Sequence, residues 1–200
     1  MKVFKFGGAS VSSAPAIRNV ASILEMYPGK KVMVISAMGS TTNELELLVR
    51  SYYKKDQKTA EILNRIKDYH SRIIAELGVE EQNLSQVTHL FADLEERLQR
   101  MPSLHFDYEY DQIVCFGELI STAIVSAYLN QNGIPNKWID VRDSLRTDET
   151  YREAIVDWKW SAMLVNNSFA LRNPRLLVID GGHWLLVLLL MGAIIGGWGV

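Results

Sequence analysis

The sequence predicts an α/β fold with a mainly parallel sheet, and three observations carry that prediction. A strand, a helix and a second strand follow one another within residues 2–36, the spacing of a right-handed βαβ unit. The strand segments Lys31–Ser36 (KVMVIS) and Arg175–Ile179 (RLLVI) are continuously apolar rather than alternating, as expected of strands covered on both faces. Residues 41 to about 101 carry apolar positions at helical spacing almost throughout, which reads as a helical insertion or lobe.

Taken in order, residues 2–6 form the first strand, with Val3, Phe4 and Phe6 as its apolar positions. Ser12, Ser13 and Pro15 start a helix, proline falling in the first turn where its missing N–H costs nothing. Ile17, Val20, Ala21 and Leu24 continue it, and Pro28-Gly29 ends it before Lys31–Ser36 forms the second strand. Within the lobe one helix runs from Thr42 to about Lys54. A second carries Ile62, Ile66, Tyr69, Ile73 and Leu77 and is closed by Gly78. A third carries Leu84, Val87, Phe91, Leu94 and Leu98 and closes near Pro102. A fourth helix is predicted from about Asp111 to Asn130, then a short strand at Lys137–Val141, a helix over 150–167 and the strand Arg175–Ile179.

Composition narrows the function classes. The chain has 200 residues, 48% hydrophobic and 22% charged, enough for one globular domain with its own core. A net charge of −2 gives no electrostatic case for nucleic acid or an anionic membrane surface. The single cysteine, Cys115, excludes an intramolecular disulfide framework and fits a reducing, cytoplasmic compartment. It is expected in the core of the 111–130 helix. The N-terminus is already a strand and has no signal-peptide pattern. The four histidines (His70, His89, His105, His183) show no metal-ligand spacing, and His70 and His89 read as structural or surface residues of the lobe. Trp184–Val200 carries no charge. Its length is marginal for a membrane span and four glycines weaken it further. A buried contact or a poorly ordered tail is the better reading.

Three segments carry chemistry. In the first, Lys5-Phe6-Gly7-Gly8-Ala9-Ser10, a lysine stands beside paired glycines between a strand and a helix. Paired glycines let exposed N–H groups approach a phosphate, the helix end adds positive potential, and lysine supplies a point charge. The second, Ser36 to Asn43, follows the next parallel strand, so the two loops are expected side by side at the carboxyl ends of the strands. Thr42 there suits both a helix cap and a small ligand. The third, Phe116 to Thr122, puts Glu118 in an otherwise apolar helix, where a buried carboxylate needs a partner; a ligand ammonium or an arginine such as Arg142 would serve. Each alone also fits a plain structural role: a tight turn, a capped loop, a solvated or paired carboxylate. Asp140, Arg142, Asp143, Arg146 and Asp148 read as a surface salt-bridge cluster.

Together, in this order and spacing, these segments closely resemble aspartate kinases of the amino-acid kinase family. Lys5-Phe6-Gly7-Gly8-Ala9-Ser10-Val11 is similar to the family's opening K-F-G-G-T-S-V, with alanine for threonine. Val34-Ile35-Ser36-Ala37 to Thr42-Asn43 is similar to V-x-S-A-x-x-x-x-T-N, and Gly117-Glu118-Leu119-Ile120-Ser121 to G-E-x-x-S. Arg146-Thr147-Asp148 also looks familial. The resemblance covers residues 1 to about 179. It implies a three-layer α/β/α sandwich and transfer of the ATP γ-phosphoryl group to the side-chain carboxylate of L-aspartate. Lys5 would stabilise the transferring phosphoryl. Gly7, Gly8 and Ser10 would hold ATP phosphates, with Ser36 shaping the adjoining loop. Thr42 and Asn43 would bind aspartate and Glu118 its ammonium. Mg²⁺ would accompany ATP.

The pattern departs after Ile179. The family's G-R-G-G-S-D-type segment, nucleotide-binding strands and ACT domains are not found, and Asp180-Gly181-Gly182-His183 leads into the uncharged 180–200 tail, which reads as a frameshifted or truncated end. The expectation is weak ATP binding and poor turnover, since losing a charged group in such a site costs about 10²–10³ in rate. Self-association through the tail, and hence a homo-oligomer, is expected. Competing readings are another amino-acid kinase, such as glutamate 5-kinase or acetylglutamate kinase, and a non-catalytic interaction module. The Thr42-Asn43 loop and the Gly117-Glu118 helix argue against another kinase.

Overall fold

A computed structural model of the chain describes residues 2–170 and 176–180, with side chains to Val165. Strand β1 (Lys2–Phe6) runs through Gly7 into a 3-10 turn at Gly8–Val11, and α1 (Ala14–Glu25) follows. Ser13 caps α1 by accepting a hydrogen bond from the Ala16 N–H, and Pro15 stands in its first turn. Ile17, Val20, Ala21 and Leu24 bury one stripe of the helix.

Strand β2 (Lys31–Ile35) pairs in parallel with β1, Lys5 lying opposite Val34 and Phe6 opposite Ile35. Val32, Met33, Val34 and Ile35 are all at most 1% exposed. Successive strand side chains alternate faces, so both faces of β2 are covered, which explains its unbroken apolar run.

The segment expected as a helical lobe holds α2 (Thr41–Tyr53), α3 (Thr59–Leu77) and α4 (Ser85–Gln99). Leu45 and Leu48, Ile66 and Ile73, and Leu90 and Leu94 join one core with the sheet residues Met33 and Ile35. Gly78 ends α3 in the left-handed region at φ 67°, where a Cβ would be strained.

The fourth predicted helix is two. Helix α5 (Phe106–Val114) ends before Cys115, and α6 (Phe116–Gln131) begins after it. Neither proline nor glycine marks residue 115. Cys115 itself keeps helical dihedral angles, and two residues on Gly117 comes into close contact with Ala37 and Leu45. Helix α6 is buried from Phe116 to Leu129 and lies on the sheet. Strand β3 (Lys137–Ile139) is shorter than predicted, and its Trp138 indole N–H donates to Thr122 Oγ1 of α6 at 2.8 Å.

The predicted 150–167 helix starts later, as α7 (Trp158–Ala170). Residues 148–157 form a loop. Asp148 Oδ1 accepts from the N–H groups of Thr150 and Ile155, and Arg152 adopts φ 65°. Local carboxylate bonds of this kind compete with helix. Asp157 Oδ1 then accepts from the Trp160 N–H at the start of α7. Strand β4 (Leu176–Asp180) inserts between β2 and β3, giving the order β1-β2-β4-β3 with every pair parallel. The predicted tail beyond Asp180, with its proposed role in self-association, lies outside the described residues.

One ion pair fastens the lobe to α5. Arg97 Nη2 donates to Glu109 Oε2 at 2.8 Å, and the Ser103 N–H donates to Glu109 Oε1 at 2.6 Å. The Glu109 side chain is 1% exposed. Burial pushes its carboxyl up, but the Ser103 and Arg97 hydrogen bonds outweigh burial and hold it below the ordinary carboxylate range.

Candidate active site

The first two loops leave the carboxyl ends of neighbouring parallel strands and are bonded to each other. The Ser36 N–H donates to Phe6 O at 3.1 Å, extending the β1–β2 ladder by a step, and the Gly39 N–H donates to Gly8 O at 3.1 Å. A Cβ on Gly8 would lie 2.6 Å from Ala37 O and 3.2 Å from Gly39 O, so glycine is what permits this approach. Gly7 is different. It is exposed, and a Cβ there would meet nothing within 4 Å. Its open side leaves room for a ligand oxygen. Lys5 and Ser10 are exposed on the same segment. The rings of Phe4 and Phe6 stack on one face of β1, and alternation gives Lys5 the other.

The second loop enters α2. Gly39 adopts φ 53°, a left-handed conformation open to glycine at little cost. The buried Thr41 hydroxyl donates to Met38 O at 2.6 Å. Thr42 is half-buried and Asn43 exposed, within the first turn of α2.

Helix α6 closes the other side. A Cβ on Gly117 would stand 3.0 Å from both Ala37 Cβ and Leu45 Cδ1, so α6 rests directly on the second loop and α2. Ser121 Oγ donates to Ser36 O at 2.8 Å. Glu118, in the first turn of α6, is 7% exposed. The N-terminal ends of α2 and α6 thus meet at the second loop, where their positive potential favours an anion and Glu118 supplies a carboxylate beside it. Removing the Ser121 hydroxyl tests this junction. Ser121→Ala is expected to lower unfolding free energy by about 1 kcal/mol, read from urea denaturation.

Other residues singled out in the sequence have local roles. His70 is fully buried, with Nδ1 2.8 Å from Ile66 O and Nε2 3.5 Å from Thr41 Oγ1. Burial pushes its pKa below the ordinary value, favouring the neutral ring. His89 is exposed beside Asp93. Cys115, expected in the core, packs against its rim. It is partly exposed at the α5–α6 junction, where the helical ladder breaks, with Sγ 4.0 Å from Arg142 Nη1. Arg142 pairs with Asp140 at 2.6 Å. Among the described residues, no group of three His, Cys, Asp or Glu side chains suits a metal ion. Sequence reasoning gave no role to Gly39 or Ser121, although both lie in the quoted segments, and read Tyr69 only as a helix-stripe residue.

The family model described as the amino acid kinase family matches residues 1–183. The chain belongs to the amino acid kinase family. It is 29% identical over 181 residues to the bifunctional aspartokinase/homoserine dehydrogenase 2 of Escherichia coli, covering 90% of this chain and 22% of that protein. It is 38% identical over 136 residues to the chloroplastic aspartokinase 2 of Arabidopsis thaliana, covering 66% of this chain and 25% of that protein. This amino acid kinase chain therefore spans about a quarter of the length of those relatives. Among solved structures, E. coli aspartokinase III in complex with lysine and aspartate superposes with a TM-score of 0.80 at 23% identity, over 90% of this chain and 40% of that one. The same enzyme with aspartate and ADP gives 0.77. The parallel sheet and its flanking helices are those of the amino acid kinase fold, and the expected fold class is borne out.

Proposed function

We propose that this chain is the N-terminal part of an aspartate kinase catalytic region, one unit over residues 1–179 with a helical lobe at about 41–101. The reaction transfers the γ-phosphoryl group of ATP to the side-chain carboxylate of L-aspartate, giving 4-phospho-L-aspartate, the first step towards lysine, threonine and methionine. One observation carries the reading. The Gly39–Gly8 and Ser121–Ser36 hydrogen bonds gather three segments distant in sequence around one loop.

The open side of Gly7 and the exposed Lys5 and Ser10 fit a phosphate chain. Gly7 and Gly8 would present the backbone to the ATP phosphates, with Ser10 adding a hydroxyl and Lys5 countering charge on the transferred group. Mg²⁺ would accompany the nucleotide and would offset the charge of its phosphates. Thr42 and Asn43 would bind aspartate where the two helix ends favour its carboxylates. Glu118 would take its ammonium, and Ser36 fixes the floor between the two ligands. Such transfer depends on positioning and charge stabilisation rather than covalent work by the protein. The relatives' names, and aspartate in the two solved enzyme structures, support the choice of substrate.

Calorimetric titration of the 200-residue chain with aspartate and with Mg·ATP tests the assignment. Glu118→Gln is expected to weaken aspartate at least tenfold, the scale of a lost charged hydrogen bond, and to leave Mg·ATP unchanged. Lys5→Met is expected to do the reverse. Wild-type chain that binds neither ligand would overturn the reading in favour of a non-catalytic module.

A further inference from the structure

We infer that Tyr69 of α3 is a positioning residue that sets the spacing of the two ligand loops. The inference rests on the roles proposed above for those loops. The half-buried Tyr69 reaches from the helical lobe to the junction between them. Its hydroxyl donates to Ser12 O, just beyond the glycine segment, at 2.8 Å. The same oxygen lies 2.5 Å from where a Gly39 Cβ would stand. One phenol therefore fills the space of the absent Gly39 side chain and holds the backbone that leads from the first loop into α1. Gly39 is also the residue whose N–H bonds to Gly8 O. The phenol therefore stands beside the donor of that bond and holds the backbone four residues beyond its acceptor.

The ring is itself held. It meets the His70 ring edge-on at 5.2 Å, and His70 meets Phe91 of α4 at 5.9 Å. His70 is tied back to Ile66 O and lies against Thr41 of the second loop. Consecutive residues of α3 thus contact both loops, and the lobe becomes a brace beneath the site.

Tyr69→Phe keeps the ring and removes only the hydroxyl. Amide hydrogen exchange of the full chain is expected to speed up about tenfold at Gly39 while the Ile124 amide in the middle of α6 keeps its wild-type rate. Aspartate and Mg·ATP affinities are each expected to fall about threefold to tenfold, with the urea midpoint lowered by no more than the loss of one hydrogen bond accounts for. Unchanged exchange at Gly39, or equal acceleration at Gly39 and Ile124, would show that the hydroxyl serves general stability or nothing. Faster exchange at Gly39 with unchanged affinities would also overturn the positioning role. If wild-type chain binds neither ligand, the functional reading fails by itself, and the Gly39 rate still decides whether Tyr69 couples the loops.

Discussion

Replacing Gly8 with valine is expected to cost the fold about 3 kcal/mol and to abolish binding of both aspartate and Mg·ATP. The atoms a Cβ would strike are backbone: Ala37 O at 2.6 Å and Gly39 O at 3.2 Å. A flexible side chain would swing away, but these carbonyls belong to the second loop and move only with it. Forcing the loops apart breaks the Gly39–Gly8 hydrogen bond and adds the strain of overpacking, together about 2–4 kcal/mol. Both ligands suffer because the displaced backbone is common to both proposed subsites. The neighbouring glycine provides the contrast. A Cβ on Gly7 meets nothing within 4 Å and its φ is −73°, so Gly7→Ala should hold stability or raise it by about 0.4–1 kcal/mol. Urea denaturation and calorimetry on the pair give the answer. Equal stability losses at the two positions would sink the close-approach account.

Arg97→Met is the second large effect, and it lies far from the proposed chemistry. It leaves the Glu109 carboxylate, whose side chain is 1% exposed, without its guanidinium. Breaking a buried pair from one side costs about 3–5 kcal/mol at neutral pH. The pH dependence reports the mechanism. In the wild type the Glu109 carboxyl is held below its ordinary pKa. Its contribution is therefore complete above about pH 4.3 and is lost as pH falls through the depressed folded value. In Arg97→Met the Ser103 hydrogen bonds remain while both contributions of the guanidinium are gone, so the carboxyl is held down less against burial. The variant should therefore lose less stability between pH 7 and pH 4 than the wild type does. Thermal melts across pH 4–7 test both limbs. A variant whose stability falls with acid as steeply as the wild type's does would contradict the assignment.

Much of this molecule is legible in its sequence because local signals and tertiary packing agree. The unbroken apolar run of β2 announces burial on both faces, and Ser13-Ala14-Pro15 marks the start of α1. Gly78 marks the end of α3 through the backbone conformation that it permits. The loops at Gly8 and Gly39 are placed by strand polarity alone. The failures lie where local signals are silent. The interruption at Cys115 is a single residue that keeps helical dihedral angles, and neither proline nor glycine stands at that position. The delayed start of α7 depends on Asp148 bonding to the Ile155 N–H and on Arg152 at φ 65°. Arg152 is further held by Asp107 and Asp111 of α5. Tyr69 looked like one more residue of an amphipathic stripe, since spacing reports that a side chain turns inward and not what its hydroxyl finds there.

The order of strands also constrains how the protein is made. β4, the last described strand, stands between β2 and β3. On a ribosome adding about 5–20 residues per second, roughly 2–8 s separate the emergence of Ile139 from that of Asp180. Through that interval β1 and β2 have all they need to pair, but β2 presents an open row of N–H and C=O groups on its far side and β3 has no neighbour at all. Such edges recruit strands from other chains. The nascent protein therefore passes through a stage in which its most apolar strand invites the wrong partner, and prompt arrival of residues 176–180 is what ends it.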